Sequence, residues 1–179
     1  MGDHRLDRAG IYTWLPRRNI SIVSSEVGTW SHYFSPAKLQ TQLEDASVQW
    51  STIDSIAQAY LAAAKDPTHA GIDSFPSPES SFGSYGFSKA LVSTYGRLLG
   101  RDLKPKGIPV LLSTPGYCAT DLNANSGFRT AAQGGASCIM VLKRGVEDSG
   151  KLFLDDEDQG MKNDTPDDVK NMNAKQAVK

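Results

Sequence analysis

At 179 residues and 39% hydrophobic content, the chain is long enough for one globular domain with its own apolar core. Nineteen basic against twenty acidic residues give a formal net charge of -1, without the basic field that a nucleic-acid or membrane-surface partner requires. No apolar run reaches the length of a transmembrane helix.

Residues 1–18 mix charges and lack the apolar centre of a signal peptide, so a disordered leader and a cytoplasmic protein are expected. The run from Asn19 to Ser25 is continuously apolar enough for a buried parallel strand, and it ends in Ser24 and Ser25, followed by Glu26-Val27-Gly28. Ser35-Pro36 opens a helix, with Ser35 as cap and Pro36 at the first helical position. A second helix is predicted from Ser51 to Lys65, capped by Ser51, with Ile53, Ile56, Ala57, Tyr60 and Leu61 on one face. Asp66-Pro67 ends it, and residues 71–81 are loop.

The next helix runs from Gly83 to Arg101, with Leu91, Val92, Tyr95, Leu98 and Leu99 at helical spacing. Lys106-Gly107 leads into a buried strand from Ile108 to Ser113, and Pro115-Gly116 follows that strand. Arg129 to Leu142 forms a helix rich in small residues, and Lys151 to Leu154 a last short strand. From Asp155 the chain is too polar to order itself, and residues 161–179 are expected to be a disordered tail. Alternation of strand and helix implies an α/β fold, a parallel sheet flanked by helices.

The cysteines, Cys118 and Cys138, make no Cys-x-x-Cys, and His4, His32 and His69 are scattered, so no metal site is expected. Asp155-Asp156-Glu157-Asp158 lacks the spacing and glycine of a calcium loop and reads as a solvated acidic turn. Without a Gly-x-Ser-x-Gly elbow, a serine hydrolase is a poor reading.

Chemistry concentrates at Ser84-Tyr85-Gly86-Phe87-Ser88-Lys89-Ala90. Four residues apart on a helix, Tyr85 and Lys89 share a face, and an ammonium beside a phenol favours the phenolate. Tyr85 is thus a candidate general acid/base with Lys89 as its electrostatic helper. A surface tyrosine packed on a lysine stem has the same pattern, and Pro115-Gly116 alone is also what a strand-ending turn looks like.

The order of the motifs is more specific than any one of them. Strand-Ser-Ser, then Tyr-x-x-Ser-Lys opening a helix, then strand-Pro-Gly-x-x-x-Thr closely resembles the carboxyl-terminal half of the short-chain dehydrogenase/reductase family. The resemblance covers about Arg18 to Gln159 and implies a Rossmann-like domain over residues 19–160. It implies an NADP(H)-dependent oxidoreductase interconverting a carbonyl and an alcohol. Tyr85 is then the acid/base, Lys89 binds the nicotinamide ribose, and Ser25 hydrogen-bonds the substrate oxygen, leaving Ser24 a structural hydroxyl. Pro115, Gly116, Cys118 and Thr120 match the loop on the nicotinamide and phosphate, and Tyr117 the position facing substrate.

The long interval from Ser25 to Tyr85 resembles the subgroup of carbonyl, menthone and salutaridine reductases, where a helical insertion, here about residues 35–66, lies between the catalytic residues. In that subgroup the insertion implies a monomer acting on bulky carbonyls. Neither Thr-Gly-x-x-x-Gly-x-Gly nor Asn-Asn-Ala-Gly occurs in the chain, so the loop that holds a dinucleotide pyrophosphate is missing, with the family's catalytic asparagine. The alternative expectation is therefore a truncated, non-catalytic fragment whose exposed strand edge serves as an interaction module and drives association.

Overall fold

A computed structural model describes residues 18–33, 35–66, 68, 71–76 and 83–164. The expected leader up to residue 17, Pro67, the loop over residues 77–81 and the tail from residue 165 lie outside the described residues. Strands β1 (Ile20–Val23), β2 (Val110–Thr114), β5 (Leu152–Leu154) and β6 (Glu157–Asp158) form one sheet in that order. β1, β2 and β5 are parallel and β6 turns back antiparallel. Two-residue strands β3 (Cys118–Ala119) and β4 (Arg129–Thr130) make a separate pair.

Around these lie helices α1 (Glu26–Tyr33), α2 (Ala37–Glu44), α3 (Trp50–Lys65), α4 (Gly83–Leu103) and α5 (Ala131–Met140). β2 is buried along its whole length, as the apolar run from Ile108 predicts. Its side chains alternate between faces: Leu112 meets α4 at Gly96, while Leu111 packs with Val141 and Phe153. A sheet covered on both faces needs this doubly apolar central strand, and the expected α/β architecture is what forms.

β1 departs from expectation. It pairs in parallel with β2 as predicted, yet half of its side chains are exposed and Val23 is 51% exposed. Among the described residues no strand pairs with its outer edge, so the run that reads as a buried strand is an edge strand, in keeping with the exposed strand edge expected where the glycine-loop half is missing. α4 also buries different residues from those its large apolar positions suggest. Gly86, Ala90, Ser93, Thr94, Gly96 and Gly100 are buried beside Phe87 and Leu98, whereas Leu91, Val92, Tyr95 and Leu99 are half-buried. Small residues win because α4 lies close against α1 and β2: a side chain at Gly28 would sit 2.6 Å from the Lys89 carbonyl carbon.

Residues 35–66, expected as an insertion, hold two helices with different caps from those expected. Pro36 rather than Ser35 is the cap residue of α2, and the Ser35 hydroxyl donates instead to the Ser31 carbonyl at 2.8 Å. Gln49, not Ser51, occupies the cap position of α3, without a side-chain cap bond, and Leu61 faces solvent while Ile53, Ile56, Tyr60 and Ala63 are buried. The carboxyl end of α2 is held from α4, where Arg97 donates to the Leu43 carbonyl and Arg101 to those of Ala46 and Val48, both at 2.9 Å.

The segment after Asp155 is more ordered than its polarity predicts. Leu154 and Glu157 pair across a two-residue turn whose Asp155 has φ 53°, and Gln159 N–H donates to the Leu152 carbonyl at 2.8 Å. The acidic run is tied down rather than simply solvated: Arg129 pairs with Asp155 at 2.7 Å and Arg144 with Asp156 at 2.5 Å. Lys162 then reaches Glu44 at 2.7 Å, and Asn163 N–H donates to the Thr29 carbonyl at 3.3 Å. No helix among the described residues is long and apolar enough to cross a membrane.

Candidate active site

The carboxyl ends of β1 and β2 lie side by side, with Ser24 N–H donating to the Ser113 carbonyl at 2.8 Å. In open α/β sheets ligands bind beyond these ends, where the residues leaving both strands meet. From β1 the chain turns at once into α1, and Ser25 stands at the junction. It is 8% exposed, its carbonyl accepts from Gly28 N–H at 3.0 Å, and its hydroxyl oxygen accepts from Val27 N–H at 3.3 Å. A hydroxyl engaged as acceptor there retains its own proton to donate.

Ser24 is turned the other way. Its hydroxyl lies 2.7 Å from that of Ser93 and 3.3 Å from the Lys89 carbonyl, fastening β1 to α4 inside the core. Lys89 completes the joint from the helix side: Nζ donates to the Val23 carbonyl at 3.3 Å and lies 5.8 Å from the centre of the Tyr85 ring. Helical spacing and the β1–α4 contact thus set phenol, ammonium and the Ser24-Ser25 turn at one end of the sheet. Tyr85 is 52% exposed, so its ring stands on an open surface rather than in a closed pocket.

β2 delivers the second set. Gly116 takes φ 70°, open to glycine at little cost, and its N–H donates to the Thr114 hydroxyl at 3.2 Å. Pro115 leads this turn. A side chain on Gly116 would meet the Arg129 side chain, and the two Arg129–Asp155 bonds, 2.7 and 3.0 Å, hold the returning strand β4 in place. Bonding to that carboxylate raises the Arg129 pKa and lowers that of Asp155.

Cys118 and Thr120 are committed within the loop. The Cys118 thiol lies 3.4 Å from the Pro115 carbonyl and against Gly134 of α5, while Thr120 N–H donates to Asn123 Oδ1 at 3.1 Å. Tyr117, 37% exposed, bonds Ser126 through its hydroxyl at 2.6 Å and packs edge-on against Phe128 at 5.6 Å. Phe128 and Leu122, 68% and 97% exposed, extend an apolar loop surface that the motif reading did not single out. No periodicity marks them, because Leu122 sits in a single 3-10 turn, Asp121–Asn123, and Phe128 in a bend.

A cleft of about 650 Å³ lies elsewhere, between α2, α3 and the turn at residues 72–75, where Leu39, Gln42, Ile56 and Phe75 line it. None of Ser25, Tyr85 or Lys89 contributes to it.

No protein-family model matches the sequence. The chain is 36% identical over 98 residues to (+)-neomenthol dehydrogenase of Capsicum annuum, a match that spans 54% of this chain and 29% of that enzyme. Salutaridine reductase of Papaver somniferum shares the fold with a TM-score of 0.62 at 26% identity, over 75% of this chain and 44% of that structure. The chain therefore spans less than half the length of either relative.

Proposed function

We propose that this chain, a piece of a short-chain dehydrogenase/reductase as both relatives are, carries the proton-handling side of an NADP(H)-dependent carbonyl–alcohol interconversion. The observation that supports the reading is Lys89, whose ammonium bonds the Val23 carbonyl at the end of β1, two residues before Ser25, and lies 5.8 Å from the Tyr85 ring. When bound, the reduced nicotinamide supplies the hydride.

In this reading the Ser25 hydroxyl donates to the substrate oxygen and fixes its direction. Tyr85 gives its proton to that oxygen, and the Lys89 ammonium offsets the charge left on the phenol. The residues fit the nicotinamide end of a dinucleotide: Lys89 Nζ has one 3.3 Å bond and two further protons to offer, and the Pro115-Gly116 turn leaves the adjacent strand end. They do not fit the pyrophosphate end, since no glycine loop leads a helix here. A dinucleotide bound here would need that loop from elsewhere. The two relatives' names suggest a cyclic or polycyclic substrate, and the open loop surface of Tyr117, Leu122 and Phe128 suits a bulky apolar one. The subgroup resemblance favours a monomeric enzyme.

Fluorescence titration with NADPH tests this directly. Saturable binding should raise the melting temperature, and about 2.7 kcal/mol of stabilisation is expected at a hundredfold excess over Kd. Where a cyclic ketone is then reduced, Tyr85→Phe should lower turnover by about 10²–10⁴-fold with NADPH binding intact. Retained turnover in that variant would remove Tyr85 from its role. Absence of binding would favour the second reading, an interaction module, for which the unpaired edge of β1 among the described residues is the observation.

A further inference from the structure

We propose that Tyr60, on the insertion helix α3, is a positioning residue for Tyr85, gripping the chain on both sides of it. Its catalytic meaning rests on the function proposed above; the grip itself does not.

Tyr85 lies in the first described turn of α4, as its third residue, where a helix in general holds its own N–H groups least. Nor does burial hold the ring, which is half-exposed. The backbone on either side of Tyr85 therefore bears directly on where the phenol points.

Tyr60 touches both sides. Its hydroxyl lies 2.7 Å from the hydroxyl of Ser84, the residue just before Tyr85. Its ring lies 4.7 Å from that of Phe87, two residues after, and 5.3 Å from Phe75, while Phe75 and Phe87 are 5.7 Å apart. Tyr60 is 6% and Phe87 1% exposed, so this three-ring cluster is core, continuous with Leu39, Leu43 and Ile56. A buried tyrosine requires a partner for its hydroxyl, and here the partner is on the turn that carries Tyr85.

A second anchor lies downstream, where Lys89 is tied to β1 through the Val23 carbonyl. Tyr85 is held between the two, the insertion setting the turn before it and the sheet setting the lysine after it. Without the upstream anchor the turn frays, and the phenol loses its register with the ammonium. The insertion thus acts on the site from a distance, since Tyr60 belongs to none of the motifs that mark it.

Nuclear magnetic resonance of the full chain tests this without cofactor or substrate. In Tyr60→Phe the ring cluster stays and only the hydroxyl goes. Amides 88–90, whose helical acceptors are the carbonyls of residues 84–86, should exchange about five-fold faster, the scale of one lost hydrogen bond, with amides 96–100 unchanged. The Overhauser contact between the Tyr85 ring and the Lys89 side chain should fall by about half or more. Ser84→Ala should reproduce both effects, the double variant should be no worse than either, and Ser84→Thr should restore them. Because Ser84 is exposed, its variants remain informative even if Tyr60→Phe misfolds. An unchanged Tyr85–Lys89 contact in both single variants, or effects that add in the double, would overturn the proposal. Loss of the contact in a chain that binds no NADPH would instead leave the grip standing and sink the enzymatic reading.

Discussion

Lys89 has two attachments whose separation makes a sharp test. One is structural, its bond to the Val23 carbonyl; the other is the face it shares with Tyr85. Ser24 already joins β1 to α4 through Ser93, so the strand–helix joint does not depend on the lysine alone. Lys89→Ala should therefore leave the melting temperature within a few degrees, since one partly exposed hydrogen bond contributes about 1 kcal/mol or less. In a cofactor-binding protein the same change should weaken NADPH binding by about tenfold or more, because an ammonium–hydroxyl bond and its charge are lost together. Isothermal titration beside a thermal melt reads both, and unchanged cofactor affinity would confine Lys89 to the structural half of its role. Ser24 and Ser25 show how little separates the two kinds of residue. They are adjacent and alike in chemistry, yet one hydroxyl turns into the core against Ser93 and the other caps the start of α1.

Among the elements, the α1–α4 crossing decides whether this site exists, and Gly28 is what permits it. A methyl group there would lie 2.6 to 2.9 Å from the backbone of Lys89 and Ala90, and helix backbone cannot step aside as a flexible side chain can. Alanine is better than glycine inside a helix by about 1 kcal/mol, whereas overpacking costs about 1–3 kcal/mol, so the clash prevails. Gly28→Ala should lower the melting temperature by several degrees. Gly135→Ala on α5, where nothing lies within 4 Å, should raise it slightly by propensity alone. Equal effects at the two sites would mean that α1 is free to move away from α4.

The same crossing explains why α1 escapes a periodicity reading: its buried face includes Thr29, Ser31 and His32, which no apolar pattern reports. α3, α4 and β2 were legible because their apolar spacing matches a helix or a doubly covered strand. Tyr85 and Lys89 were legible because four residues on a helix share a face whatever surrounds them. The Lys89–Val23 and Tyr60–Ser84 bonds link residues 66 and 24 positions apart, and no local pattern encodes such pairs.

Across the whole molecule, the described carboxyl end closes back on the insertion, and this closure carries a pH dependence. Composition after Asp155 predicts disorder because little apolar surface is available there, but ion pairs and backbone bonds supply the missing restraint. Lys162 bonds both Glu44 and Gln40, and Asn163 reaches α1 at Thr29. Beneath them lies His32, 1% exposed, with Nε2 3.4 Å from Glu44 Oε1. Burial lowers the His32 pKa below its usual 6.5; Glu44 on α2 and the Gln40 backbone pull it back up, while Lys162 and Arg97 of α4 push it further down. Because the folded pKa lies below the unfolded one, the unfolded chain takes up the proton first as pH falls. Stability from neutral His32 is therefore complete above about pH 6.5 and is lost progressively below it. Glu44 shifts downward too, chiefly through its bond to Lys162, but its contribution is lost only below its usual 4.5, so the two windows separate. Urea unfolding at pH 7.5 and 5.5 should show a drop in stability, and His32→Gln should flatten it. An equal drop in that variant would place the acid sensitivity outside the α1–α2 junction and leave the closing segment without a part in it.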